Sequence, residues 1–435
     1  MTARSGTPET VALRRVHVLD EQGGFAGLCD VVVEHGVVRE VGPSLGSWPG
    51  AVEVDCHSFW LMPGVVDAHV HIAVSSFDAL ELLRSPITLR TLETAANLRR
   101  TLAAGVTTVR DAGGADAGIR DAVERSFVPG PRLKVATVAL SPSGGHGDGF
   151  LAGPGFELPV DAMLPEYPGR PPYRVDGPHE VRRAVRLIAR AGADHVKVFA
   201  SGGVLSEKLD GRGAGLDDDE LAAAGAEARR QGLPLVVHVF GGPELDAALA
   251  AGATSIEHGL FLSEAQAARM AELGCTLVPT LAIYHELVAL ARAGRLGPRA
   301  SERAIALERH LGEPVRVARE AGVRIALGSD FAAREQHGRN LEEIAWLADA
   351  GLPLEDALLS ATVRGAELLG LGADHGRIAP GCLFDAVIFD REPSVALFRA
   401  GHAPSAVFAG GKAVVAATPF EPLVASDVGM DMLYT

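Results

Sequence analysis

Between residues 63 and 375 the chain repeats one texture: a short apolar run, then in most cases an Ala-, Leu-, Arg- and Glu-rich stretch. The apolar runs end near His71, Arg110, Leu140, Phe199, Val239, His258, Thr280 and Gly328. Helical periodicity is clearest over 86–104, 179–191, 217–231, 243–251 and 298–321. Eight strands, most followed by helices, fit a distorted (β/α)8 barrel of the α/β class better than an open dinucleotide-binding sheet. No GxGxxG opens a helix after the first strand, which lowers the nucleotide reading further. Residues 141–178 are rich in Gly and Pro and fit the repeat least. They are expected to form a long loop over the active face, or a surface excursion without function.

The two ends of the chain read differently. Val11-Ala-Leu-Arg-Arg-Val-His-Val-Leu and Cys29-Asp-Val-Val-Val-Glu-His-Gly-Val-Val have strand composition, the second broken by a hairpin turn at His35-Gly36. Strand-like runs return at Asp385–Asp390 and from Ser405 to Ala416. Residues 1–62 and 376–435 are therefore expected to build one small β-sandwich-like domain, with residues 63–375 forming the barrel.

Composition narrows the partners. A formal net charge of -15 argues against nucleic acid, because phosphate binding needs a basic surface. The N-terminus lacks the apolar stretch of a signal peptide, and no segment supplies the ~20 apolar residues of a membrane helix. Cys29, Cys56, Cys275 and Cys382 form no CxxC, so neither a zinc knuckle nor a disulfide framework is suggested. The expectation is a cytoplasmic protein acting on a small molecule.

The chemistry gathers at the ends of the apolar runs. His69 and His71 are spaced so that both imidazoles face the same side of a strand. His238, His258 and Asp330 each close a later run, where a barrel strand hands over to its C-terminal loop. Four imidazoles and a carboxylate on that face suggest one or two divalent ions, zinc first. Lys197, one of four lysines in the chain, lies in the same kind of position. As an ammonium it would repel metal; as a carbamate formed with carbon dioxide it would bridge two ions. Asp330 can also accept a proton during hydrolysis and pass it to the leaving group. A buried structural lysine and a plain Gly328-Ser-Asp turn are the simpler readings.

Together these segments resemble the amidohydrolase superfamily, in the branch of imidazolonepropionase-like proteins and metal-dependent prolidase-type dipeptidases. The resemblance rests on Pro63-Gly-Val-Val-Asp-Ala-His-Val-His, Val196-Lys-Val-Phe-Ala-Ser-Gly-Gly, His238, Ile256-Glu-His-Gly and Gly328-Ser-Asp, and spans nearly the whole chain. It implies His69, His71 and Asp330 on a more buried metal, His238 and His258 on a second, and carboxylated Lys197 between them. It also makes a homo-oligomer plausible.

Further residues are candidates for substrate contact. His146 resembles the family histidine that polarises the scissile carbonyl. Arg110 can meet a substrate carboxylate or pair with a neighbouring acid. His337 and Asn340 can line the loop after strand eight or cap the following helix. Dipeptidase-like members often carry a tyrosine two residues after the strand-five histidine, where this chain has Phe240. That favours less polar amides or cyclic substrates. The function expected is hydrolysis of a C–N bond in an N-acyl amino acid, dipeptide or cyclic amide by a metal-bridging hydroxide. Carbamate, lactone or phosphoester hydrolysis uses the same site, and a non-catalytic metal-stabilised binding protein is the alternative of another class.

Overall fold

A computed structural model of the protein describes residues 8–76, 78–148, 166–206 and 214–424. Its strands, in chain order, are β1 (Thr10–Leu19), β2 (Phe25–Glu34), β3 (Val37–Gly42), β4 (Val52–Asp55) and β5 (Trp60–Pro63). Then come β6 (Val65–Val70), β7 (Val106–Asp111), β8 (Arg132–Val135), β9 (Ala139–Leu140), β10 (Val196–Phe199), β11 (Leu235–Gly241), β12 (Ser255–Phe261) and β13 (Thr276–Val278). The last three are β14 (Ala386–Phe389), β15 (Ala406–Ala409) and β16 (Lys412–Ala416).

The parallel core consists of β6-β7-β8 and β9-β10-β11-β12-β13. β6, β7 and β11 are buried along their whole length, which explains why the sequence shows continuous apolar runs without alternation. The third barrel position is split. β8 pairs with β7 and β9 with β10, while Thr137 between them takes φ +64°.

The eighth position is an irregular segment, residues 325–331, and it closes the ring. On one side Leu277 N–H donates to Arg324 O (2.9 Å) and Ala326 N–H to Leu277 O (3.0 Å). On the other, Ala68 N–H donates to Leu327 O (2.8 Å), Asp330 N–H to His69 O (2.7 Å) and His71 N–H to Phe331 O (2.9 Å). Pairing therefore runs past Gly328, where the apolar run ends. Gly328 is required there, because a Cβ would sit 2.4 Å from Val278 Cγ1.

Most expected helices form close to their sequence bounds: Ile87–Ala103, Pro178–Arg190, Asp218–Gln231 and Gly242–Ala251. Asp218–Gln231 has a reciprocal Asp217/Glu220 capping box and ends on left-handed Gly232. Pro178–Arg190 buries Val181, Ala184, Val185 and Ile188, spaced to form one stripe. The stretch 298–321 is broken into helices Pro298–Leu307 and Glu313–Glu320, with a 3₁₀ turn between. Gly312 caps the second, and Pro314 lacks the N–H that would continue the first. Among the described residues, no helix is long and apolar enough to cross a membrane. Of the loop expected over 141–178, residues 149–165 lie outside the described set.

Both ends of the chain enter one mixed sheet, in the order β16-β15-β14-β5-β1-β2-β3, with β4 on β1. Its own core includes Leu13, Val16, Val31, Leu61, Phe384, Ile388, Phe408 and Phe420. The His35-Gly36 hairpin forms as read, with φ +50° and +79° and Glu34 opposite Val37. Gly36 meets the β15–β16 turn at Gly411, where an added Cβ would lie 2.1 Å from Gly36 Cα. Backbone faces backbone there, so no side chain can yield. Gly411, at φ +76°, is also strained for any other residue. We expect Gly411→Ala to destabilise the protein by about 2–4 kcal/mol in urea unfolding. Gly46→Ala, with open space around it, should stay near zero.

Candidate metal centre

The strand ends bring the expected ligands into one cleft of about 160 Å³, lined by His69, His71, Lys197, His238, His258 and Asp330 together with His146. Parallel register accounts for the convergence: Lys197 lies beside Val236, and Val239 beside His258. One nitrogen each from His69 and His258 and an oxygen of Asp330 lie within 4.8 Å of one another, the spacing of a metal-ligand set. His69 Nε2 and His71 Nε2 are 3.3 and 3.2 Å from Asp330 Oδ1. The His238 and His258 rings are 4.5 Å apart between centroids.

The far sides of the rings show how they are held. His69 Nδ1 is 2.5 Å from Glu257 Oε2, and His71 Nδ1 is 2.8 Å from Gly113 O. Carboxylate and carbonyl oxygens only accept, so both Nδ1 atoms carry a proton, and both Nε2 atoms face Asp330 Oδ1, where a cation would take the place of any proton between them. His238 is turned the other way, Nε2 donating to Gly202 O at 3.1 Å. His258 Nδ1 meets Thr280 Oγ1 at 2.7 Å. Burial holds His238 and His258 well below the ordinary imidazole range, hence neutral. Lys197 is 1% exposed, and its Nζ has no hydrogen-bond partner among the described residues. Burial pulls its amine down to about 8. An orphaned amine beside neutral imidazoles and a carboxylate fits a cation site and leaves an isolated buried ammonium unexplained.

Positive φ at His258 (+73°), Thr280 (+52°) and Asp330 (+54°) marks the strand ends that carry the site. In a regular strand Glu257 and His258 would face opposite sides. The turn at His258 lets both approach His69, one by a hydrogen bond and one with its ring 5.3 Å away. Asp67, buried beneath, accepts from Ser329 N–H (3.0 Å), Ser329 Oγ–H (2.6 Å), Asn340 Nδ2–H (2.8 Å) and His69 N–H (3.1 Å). It fastens the end of β6 to the Gly328-Ser-Asp turn.

Three residues expected to touch substrate are not among those lining the cleft. Arg110 pairs with Glu257 (2.8 Å), the neighbouring acid that the sequence left as its alternative partner. Phe240 is buried behind the ligands, its ring 5.4 Å from His238 and 6.0 Å from His258. His337 Nε2 donates to Ala332 O at 3.2 Å. Asn340 serves the Asp67 clamp and accepts from Gly338 N–H at 3.1 Å. His146, by contrast, is in the cleft, stacked on His238 with 4.6 Å between centroids. Burial pushes it to about 4. Tyr284 also lines the cleft, from helix Leu281–Arg292. It went unread because one tyrosine in an apolar helical stretch carries no spacing signal.

Buried His337 is depressed from 6.5 to about 4. A depressed folded value means the unfolded chain takes up the proton first, so stability is lost as pH falls from 6.5 toward 4. His337→Gln removes that titration. We expect the wild type to lose about 2 kcal/mol more than the variant between about pH 7 and pH 5 in chemical denaturation. Parallel losses would show that His337 is already protonated in the fold.

The chain is 31% identical over 365 residues to ochratoxinase from Aspergillus niger, covering 81% of this chain and 75% of the relative. It is 27% identical over 404 residues to imidazolonepropionase from Syntrophobacter fumaroxidans, covering 86% of this chain and 85% of that one. A crystal structure of a prolidase complexed with N-methylphosphonate-L-proline superposes with a TM-score of 0.86 at 30% identity, covering 94% of this chain and all of that one. The model of the amidohydrolase family matches residues 60–417. The chain belongs to the amidohydrolase family and is an enzyme of hydrolase type.

Proposed function

We propose that the protein hydrolyses a C–N amide bond in a small molecule: an N-acyl amino acid, a dipeptide or a cyclic amide. The observation that carries this reading is the single cleft in which four imidazoles, Asp330 and an orphaned Lys197 amine meet. In this reading His69, His71 and Asp330 would hold one divalent ion, zinc first, and His238 and His258 a second, with Lys197 as a carbamate available to both. When bound, the ions would supply an acidified water and a Lewis acid for the scissile carbonyl.

The chain's own groups supply the rest. Asp330 takes up the proton released during attack and returns it to the leaving nitrogen. His146, neutral in its buried position, donates to the carbonyl oxygen as negative charge develops there. Phe199, Val204, Leu205, Ile283 and Leu287 wall the cleft beyond the ligands. They exclude water, which strengthens each polar contact, and they favour an amide flanked by an apolar group. The amidohydrolase family match and the prolidase resemblance support the same bond type.

The deciding test is a hydrolysis screen of N-acyl amino acids, dipeptides and cyclic amides, each with its terminal carboxylate free or blocked. Turnover of at least one amide is expected, with Asp330→Asn lowering kcat by about 10²–10⁴-fold while far-UV circular dichroism is unchanged. Wild-type inactivity across the panel with metals loaded would remove the amide reading. Gly203 provides a second check, since a methyl there would lie 2.4 Å from His146 Cε1. Gly203→Ala should displace the imidazole and lower kcat by about 10–100-fold at unchanged metal content.

A further inference from the structure

We propose that Arg110 and Glu257 form a positioning pair that sets the orientation and tautomer of His69 for metal binding. The proposal rests on the metal-centre reading above but not on the substrate. Glu257 is fully buried, and each of its oxygens has a separate task. Oε2 accepts from His69 Nδ1–H at 2.5 Å. Oε1 accepts from Arg110 Nη2–H at 2.8 Å and from Ser255 Oγ–H at 2.5 Å. Arg110 Nη1–H donates to the same Ser255 oxygen at 3.1 Å.

The guanidinium also reaches the backbone. Arg110 Nε–H donates to Ala68 O at 2.6 Å, the carbonyl immediately before His69. One side chain from β7 thus fixes both the carboxylate that orients the His69 ring and the strand that carries it. The guanidinium, 2.8 Å from Oε1, is the fixed positive charge that answers the buried carboxylate and keeps both of its oxygens as acceptors. With Nδ1–H engaged, His69 presents Nε2 to the cleft, 3.3 Å from Asp330 Oδ1, as the atom that would bind a cation. Arg110 is therefore committed beneath the cleft floor, and a free substrate carboxylate does not reach it.

Glu257→Gln is the sharp test, because an amide has one acceptor oxygen where this position needs two. Metal affinity of reconstituted protein is measured by competition of Zn²⁺ with a chromophoric chelator, alongside metal content and thermal unfolding. We expect Glu257→Gln to weaken zinc binding by about 10–100-fold, with Glu257→Asp recovering part of the loss. Arg110→Lys keeps the charge and loses the fork, and should weaken zinc binding in the same direction. If Glu257→Gln does not fold, Arg110→Lys decides the matter by the same titration. Zinc binding within about twofold of wild type in the folded variants would overturn the proposal. So would an Arg110→Lys phenotype confined to a raised KM for free-carboxylate substrates, which would return Arg110 to substrate binding. The titration needs no turnover, so it stands or falls separately from the amide hydrolysis reading.

Discussion

The hydrogen bond from Asp330 N–H to His69 O, 2.7 Å long, is the contact on which the site turns. It closes the barrel between its first strand and its last, irregular one, and it places the two side chains next to each other. Without that closure His69 and His71 would stay on one edge of the ring and Asp330 on the other. Gly328 and Asp67 serve the same joint, the first by leaving room for Val278 and the second by gripping Ser329 and the His69 backbone. Ring closure and ligand assembly are one structural event.

Charge is layered along the barrel interior. Arg110 and Glu257 form a buried pair, and above them lie the imidazoles, Asp330 and Lys197, whose amine has no hydrogen-bond partner among the described residues. A low-dielectric interior tolerates such a stack only where each charge is answered. The paired layer is complete among protein groups. The upper layer is not, and that contrast separates the structural part of the network from the part built to receive something.

Much of the architecture was legible because it depends on local signals. Continuous apolar runs marked the buried strands, Asp217 and Gly232 bounded a helix, and His35-Gly36 announced a hairpin. The strand-end residues were legible because a barrel brings those positions together whatever the intervening loops. The partners of Arg110 could not be read, since Glu257 is 147 residues away and its side is set by the left-handed turn at His258. Alternation alone would have put Glu257 and His258 on opposite faces. His337 and Phe240 lie off the cleft lining for a related reason: both are close to the site in sequence, but their side chains are turned into packing.

The sheet built from both ends of the chain has a consequence for synthesis. β5 pairs with β14, and the β2–β3 turn rests on the β15–β16 turn, so strands made first wait for strands made last. More than 300 residues separate Trp60 from its partner Phe389. As the chain emerges from the ribosome, β1 to β5 can pair among themselves, but the outer edge of β5 has no counterpart until residues 386–389 are made. The far side of β5 is thus an edge that stays open through most of synthesis and closes only when β14 is laid against it.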